Sequence, residues 1–294
     1  MSTEQIAIKE IKTQSKFKDF AALAKLRLSF LVVVSAVSGF LFADGKFDIV
    51  LVYLILGGFL ITGSSNAFNQ IIERDIDKKM PRTANRPLPT NRMSVTTALL
   101  LAFGMGIVGA ILLFQINFYS GILGLLSLFI YVFLYTPLKR ISPWAVFVGA
   151  IPGAIPPMLG VVAVDNSFSQ IAGIMFFFQF VWQFPHFWAI AWVVDEDYKK
   201  GGFSLLPSKG RKNHTSALII LISSILLVPT GVLPYIYNYT GLASLIIGLI
   251  AGGWFLWLTI KLYIHQDDKS AKKLMFASFI YLPIIQFLYV FNQV

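Results

Sequence analysis

Nine apolar segments constrain the fold of this 294-residue chain more than any other feature. Each is long enough to cross a bilayer as a helix, and they occupy residues 26–43, 49–72, 95–115, 118–137, 144–164, 168–194, 215–236, 240–262 and 272–291. Because hydrocarbon offers backbone groups no hydrogen-bond partners, such segments are stable only as packed helices or closed barrels. We therefore predict an all-α, polytopic membrane bundle of about nine transmembrane helices. It would form a single domain at 26–294, preceded by a cytoplasmic segment at 1–25.

Composition and charge support a membrane protein. Hydrophobic residues make up 56% of the chain and charged residues 13%, whereas a soluble domain carries roughly 25% charged residues. If the N-terminus is cytoplasmic, every Lys and Arg except Lys46 lies in a cytoplasmic loop or at a cytoplasmic helix end. This distribution predicts a multi-pass protein of the cell (inner) membrane with an extracytoplasmic C-terminus. The net charge of +10 thus indicates contact with the lipid bilayer and no nucleic acid.

Two acidic cytoplasmic loops follow the second and sixth predicted helices. One carries Glu73, Asp75 and Asp77, and the other carries Asp195, Glu196 and Asp197. Their separation by four helices predicts an internal duplication, with two four-helix units plus a ninth helix. Glycine and proline residues at 149–157 predict that the fifth helix is broken or kinked beside a cavity. Close helix packing through small residues is the alternative explanation.

The first acidic loop has the spacing of a metal-binding face. Asn69, Glu73 and Asp77 follow one another at i, i+4 and i+8, which places them on one side of a helix. Oxygen ligands of this kind suit Mg²⁺, which is commonly held by one or two carboxylates together with substrate phosphates. Arg82 and Arg86 have the fork geometry that binds phosphate oxygens. The loop therefore predicts a diphosphate site, although a solvated loop of salt bridges would have a similar composition.

Further candidates lie at the same membrane face. Asp197 would complete a second metal position, and Lys199 would neutralise phosphate. Tyr135 and Lys139, which end the fourth segment, would add a hydroxyl and a cation, although Lys139 could also simply extend to the membrane surface. His186 lies inside the sixth segment among aromatic residues, where a histidine is a functional candidate or a hydrogen-bonded packing residue.

Together these motifs resemble the UbiA-type intramembrane prenyltransferase superfamily. Its signature is Asn-x3-Asp/Glu-x3-Asp followed by Arg-Thr-x-x-Arg-Pro-Leu, and Asn69, Glu73, Asp77 and residues 82–88 match it. The chain looks most like the branch that farnesylates haem, on three motifs: Glu73-Arg-Asp-Ile-Asp77, Tyr135-Thr-Pro-Leu-Lys139 and Phe184-Pro-His-Phe-Trp188. Two positions depart from related patterns: Val193 replaces the earlier aspartate of the quinone-precursor relatives, and Leu26 replaces the proline of a Lys-Pro-Arg motif.

The resemblance implies a reaction and its site. Farnesyl diphosphate would be the donor, and haem B would be the acceptor at a vinyl carbon. Water would then add, giving haem O and diphosphate. Asn69, Glu73, Asp77 and Asp197 would be catalytic and, together with Asp195, would hold Mg²⁺. The diphosphate would contact Arg82, Arg86, Tyr135, Lys139 and Lys199, and the haem would meet His186 and Arg27. Terminal-oxidase assembly proteins are the implied partners.

Three other functions fit part of the sequence. A carrier for an organic anion would place charges near the bilayer midplane, whereas the clusters here lie at helix ends. A non-catalytic haem-handling subunit would explain His186 but not the spacing of Asn69, Glu73 and Asp77. The third alternative, a related prenyltransferase that acts on another aromatic or quinone-precursor acceptor, is the function most similar to farnesylation of haem. The Pro-His-Phe-Trp motif disfavours it.

Overall fold

The computed structural model describes residues 15–294, and these fold into a helical bundle. Most of the predicted segment at 1–25 therefore lies outside the described residues. The helices are α1 Lys16–Ala24, α2 Leu26–Phe42, α3 Ile49–Ile72, α4 Arg74–Asp77, α5 Val95–Ile116, α6 Phe118–Leu138, α7 Ala145–Asp165, α8 Gln170–Val193, α9 Asp195–Lys200, α10 His214–Ile236, α11 Leu242–His265 and α12 Asp268–Phe291.

The number of membrane-spanning helices agrees with the sequence. Eight helices in residues 15–294 are long and apolar enough to cross a membrane, and the bent pair α1–α2 would be the ninth. The pair bends by 47° at Lys25, whose backbone is left-handed with φ of 48°. Large apolar side chains such as Leu100, Phe103 and Ile107 on α5 face outward, as expected against lipid. The prediction of an all-α, multi-pass membrane bundle is confirmed.

The helices form a ring in chain order, since each spanning helix from α2 to α12 packs against the next and α12 packs against α2. Short connections between antiparallel neighbours account for this order.

Helices α2 and α7 also contact each other across the ring. A Cβ atom at Gly39 would overlap the backbone oxygen of Pro157, and one at Gly160 would overlap that of Ala36. Only glycine permits this backbone contact, which brings the two helices together across the ring.

The internal duplication, with two four-helix units plus a ninth helix, stays a prediction.

Helix α7 is not broken, although it lies beside a cavity as expected. Although Pro152, Pro156 and Pro157 lie within it, the helix is continuous from Ala145 to Asp165. Both explanations for its small residues apply, because Gly149 and Gly153 line a cavity while Gly160 packs against α2. An irregular turn occurs instead in α6, where residues 130–135 are π-helical. Widened turns of this kind are frequent at functional sites, and this one lies directly before the Thr-Pro-Leu-Lys sequence.

Candidate active site

A cavity of about 460 Å³ opens at the end of the bundle where α3, α6 and α8 finish. Its wall includes residues from α2, α3, α6, α7, α8 and α12. Charged and amide side chains line it at the helix ends, and mostly apolar and aromatic side chains line it within the bundle. The cavity therefore suits a molecule with an anionic end and an apolar body.

Asn69, Glu73 and Asp77 are brought together at this opening. Helix α3 ends at Ile72, but the Glu73 N–H donates to the Asn69 carbonyl at 2.9 Å. The Asp77 N–H likewise donates to the Glu73 carbonyl at 2.8 Å, so the i to i+4 register continues into α4. All three residues line the cavity, and Glu73 and Asp77 are only 3% and 0% exposed. The shared face expected from their spacing is therefore present.

Each of the two carboxylates has a cationic partner from a different segment. Arg86 donates to Asp77 Oδ2 at 2.7 Å, and Lys139 Nζ lies 2.6 Å from Glu73 Oε1. The second contact is an ion pair without the geometry of a directed hydrogen bond. Buried charges are stable only when they are paired in this way. Lys139 is also 5.0 Å from the Tyr135 ring centroid, so α6 contributes both residues to the opening.

The oxygen atoms at this opening fit a divalent cation. Asp77 Oδ1 is buried without a hydrogen-bond partner in the described chain, and burial raises the pKa of this carboxyl group. The Asn69 amide donates to Thr136 Oγ1 at 3.2 Å, which leaves the amide oxygen as an acceptor. An unpartnered carboxylate oxygen and an amide oxygen are the hard ligands that Mg²⁺ prefers. Within residues 15–294, no three His, Asp or Glu side chains converge as a complete metal site, so phosphate or water oxygens would have to supply the remaining ligands.

The second acidic loop is arranged differently from the prediction. Asp195 pairs with Lys199 at 2.7 Å, and Asp197 Oδ1 is 3.8 Å from Lys200 Nζ. None of these four side chains lines the cavity, because the acidic residues of the short helix α9 turn toward its own lysines. A role for Asp195, Asp197 or Lys199 at the diphosphate would require α9 to rotate.

Tyr198 is the residue of α9 that reaches the cavity. The Arg82 guanidinium stacks over its ring, with the central carbon 4.7 Å from the ring centroid. This contact brings the two acidic loops together at one opening. It agrees with the prediction that both loops lie on the same side of the membrane. Asp75, by contrast, is exposed and bonded to Arg74 and Lys78, whose hydrogen bonds lower its pKa to about 2. Asp75 therefore belongs to an exposed group of ion pairs outside the cavity.

His186 lies deeper in the cavity wall and has a defined orientation. Its ring stacks on Trp182 at 4.3 Å between centroids, and its Nδ1 atom lies 2.7 Å from Ser278 Oγ. The Ser278 hydroxyl donates to the Met275 carbonyl at 2.6 Å, so its single proton is engaged there. Both contacts are satisfied together when the Ser278 oxygen accepts from His186 Nδ1–H. This tautomer leaves Nε2 with a free lone pair, which is the state of a metal-ligating imidazole.

Two cations near the start of α2 lie in different surroundings. Lys25 lines the cavity, whereas Arg27 is exposed and does not. The left-handed backbone at Lys25 produces this arrangement, because it changes the chain direction between α1 and α2. The sequence signal for Lys25 was its position in the Lys-Leu-Arg motif. Sequence reasoning also missed Phe203, which lies 5.3 Å from Lys139 Nζ and had no recognisable signal.

Comparisons with known proteins agree with this geometry. Residues 31–282 match the UbiA prenyltransferase family. The protoheme IX farnesyltransferase of Cytophaga hutchinsonii is 46% identical over 95% of this chain and 99% of its own length. That of Flavobacterium psychrophilum is 44% identical over 95% of this chain and 96% of its own length. The human mitochondrial protoheme IX farnesyltransferase is 33% identical over 94% of this chain and 65% of its own length.

Solved structures share the fold at low sequence identity. A structure described in connection with digeranylgeranylglyceryl phosphate synthase has a TM-score of 0.79 at 21% identity, covering 95% of this chain and 99% of its own. A UbiA homologue from Archaeoglobus fulgidus bound to DMAPP and Mg²⁺ has a TM-score of 0.67 at 15% identity, covering 92% and 99%. The family match spans most of the residues that build the cavity. This chain therefore belongs to the UbiA prenyltransferase family.

Proposed function

We propose that this protein transfers the farnesyl group of farnesyl diphosphate to a vinyl group of haem B, with addition of water, to give haem O and diphosphate. One observation carries the proposal: a buried, charged opening built on Asn69, Glu73 and Asp77 leads into an apolar cavity that contains His186. The names of the relatives that are 44% and 46% identical over 95% of this chain support the choice of donor and acceptor. They disfavour the alternative of another aromatic or quinone-precursor acceptor.

The diphosphate would bind at the charged opening. Among residues 15–294, Lys25, Arg82, Arg86 and Lys139 line it together with only two carboxylates, so these side chains carry an excess of positive charge. Lys139 and Arg86 already hold fixed positions against Glu73 and Asp77. Cations that are held in place before the substrate binds need little reorganisation when charge develops on the leaving group.

Mg²⁺ would be held by Asn69, Glu73 and Asp77, whose available oxygen atoms fit it. The ion would act as a Lewis acid on the diphosphate as the allylic C–O bond weakens. Asp195 and Asp197 are not included in this site, because they pair with lysines outside the cavity lining. The Archaeoglobus fulgidus homologue bound to DMAPP and Mg²⁺ supports a metal-dependent reaction.

The apolar part of the cavity would hold the farnesyl chain and the porphyrin. Aromatic faces such as those of Trp182, Phe187 and Phe279 line it, and they stabilise a passing carbocation by cation–π contact. A wall of this kind also limits early capture of the cation by bulk water. The departing diphosphate would remain at the opening, where Lys139 and Arg86 neutralise its charge.

His186 would orient the haem through its free Nε2 atom. Bound haem reports directly on this role, because a change of axial ligand shifts its Soret absorption. We expect His186→Ala to shift the Soret band of haem-loaded protein and to weaken haem binding. His214→Ala is the control, since His214 is exposed and contacts Tyr263 instead. An unchanged Soret band in His186→Ala would remove His186 from the haem site.

The membrane placement follows from the charges. We infer that the opening with both acidic loops faces the cytoplasm, in the inner membrane, with the C-terminus on the opposite side. Arg27, which is exposed beside the start of α2, would then lie at the cytoplasmic surface, where a haem propionate could reach it. Terminal-oxidase assembly proteins are the proposed recipients of the product.

A direct assay tests the proposed reaction. Purified protein would be incubated with haem B, labelled farnesyl diphosphate and Mg²⁺, and the porphyrins identified by mass spectrometry. We expect a haem that has gained one farnesyl group and one hydroxyl group, because the added water gives up one proton. Omission of haem B, or replacement of Mg²⁺ by EDTA, should abolish the product. Transfer of label to an added quinone precursor, with none to haem, would refute the proposal.

A further inference from the structure

A cluster of polar side chains lies in the cavity wall at membrane depth, and the reaction steps above do not use it. Gln286 donates to Gln179 Oε1 at 2.7 Å and to Ser35 Oγ at 2.8 Å, and Gln179 donates to the Gly153 carbonyl at 2.6 Å. Polar groups inside a membrane are costly unless they are satisfied. These three side chains satisfy one another and tie α2, α8 and α12 together.

Gln183 belongs to the same wall but differs from its neighbours. It is only 4% exposed and lines the cavity, and within residues 15–294 its amide has no hydrogen-bond partner. The amide packs directly on Gly153, where any Cβ atom would overlap it. With glycine at position 153, the Gln183 amide fits against the backbone of α7 and faces an otherwise mostly apolar part of the cavity.

The Gln183 amide lies deeper in the cavity than the charged opening where the diphosphate would bind. Gly149, one turn before Gly153 on α7, packs against the Tyr135 ring, and that ring lies beside Lys139. One helical turn is about 5.4 Å. The Gln183 amide therefore lies about one turn deeper than Tyr135, near the place where a carbon leaving the diphosphate would be released.

We propose that Gln183 positions the water molecule that completes the reaction, an inference that rests on the proposed function. The farnesyl cation forms a C–C bond with the terminal vinyl carbon, which moves the positive charge to the carbon beside the porphyrin ring. The water held by Gln183 then forms a C–O bond with that carbon and loses one proton to the released diphosphate. No oxidant or reductant is needed, and the products are the hydroxylated haem and protonated diphosphate.

The chemistry of an amide suits this task. Its carbonyl accepts a hydrogen bond from the water while its NH₂ group donates one, so the water is held without being deprotonated beforehand. A buried water needs two to four polar partners, and the diphosphate released at the opening would supply a further acceptor. A carboxylate here would instead attract the cation and remain charged in an apolar wall.

Product analysis of Gln183→Leu tests the proposal. Without a positioned water, the final cation loses a proton and gives an alkene product that is lighter by one water molecule. We expect the ratio of hydrated to dehydrated product to fall by at least about tenfold, because the variant loses both hydrogen bonds of the amide to the water. The ratio does not depend on how much enzyme is folded. Gln183→Asn, which keeps a shorter amide, should give an intermediate ratio.

Gln70→Leu is the matched control. Gln70 is also a buried amide of a spanning helix, but it donates to Ala22 and Leu23 and does not line the cavity. It should leave the product ratio unchanged. An unchanged ratio in Gln183→Leu would overturn the proposal, as would loss of all turnover in both Gln183 variants with folding intact. If the wild-type protein makes no farnesylated haem at all, the proposed function fails instead.

Discussion

Replacement of Asp77 by Asn should disable the enzyme by more than any loss of folded protein explains. Asp77 is wholly buried, receives a 2.7 Å contact from Arg86 and has one oxygen without a partner. The amide keeps the shape of the side chain but removes the charge that attracts a divalent cation and holds Arg86 in place. Removing one preorganised electrostatic group from an active site typically costs about 3 kcal/mol in the transition state, or roughly a hundredfold in rate.

Asp75→Asn provides the matched control for this experiment. Asp75 lies two residues away and undergoes the same chemical change, but its side chain is exposed and, within the described part of the chain, pairs with Arg74 and Lys78 alone. An exposed pair contributes at most about 1 kcal/mol, so the rate should change little. Both variants would be assayed for release of diphosphate at saturating substrate, with thermal unfolding measured in the same detergent. Asp77→Asn activity within about threefold of wild type would refute the reasoning.

Two further predictions concern the opening and the helix crossing. Lys139→Met should raise the KM for farnesyl diphosphate by about tenfold, because a charge-assisted contact to phosphate is lost; Arg140→Met, which changes an exposed neighbour, should leave the KM unchanged. Gly160→Ala should lower stability by about 1–3 kcal/mol, because its Cβ would overlap the Ala36 backbone. Gly104→Ala, where a Cβ meets nothing within 4 Å, should not lower the midpoint of thermal unfolding. Equal midpoints in the two glycine variants would contradict the proposed contact between α2 and α7.

The parts of the site that sequence reasoning located are those fixed by local helical geometry. Asn69, Glu73 and Asp77 share a face because their spacing survives the end of α3, where the i to i+4 hydrogen bonds continue. The positions of the spanning helices followed from apolar length alone. His186 followed from the cost of a polar ring within an apolar helix, and it does line the cavity.

The parts that it missed depend on local chain direction and on packing, which residue spacing does not specify. Asp195 and Asp197 have the composition of a metal site, but the direction of the short helix α9 turns them toward Lys199 and Lys200. Lys25 enters the cavity because of a left-handed residue between two helices, which no spacing indicates. The glycines and prolines of α7 predicted a broken or kinked helix; the helix is continuous and packs against α2 and α8.

The most direct test of the account is a structure of this protein with Mn²⁺ in place of Mg²⁺ and a non-reactive farnesyl diphosphate analogue. Anomalous scattering would locate the metal. We predict metal density beside Asn69, Glu73 and Asp77, with the diphosphate in contact with Arg86 and Lys139. Metal bound by Asp195 and Asp197 alone, or a diphosphate outside this opening, would contradict the account.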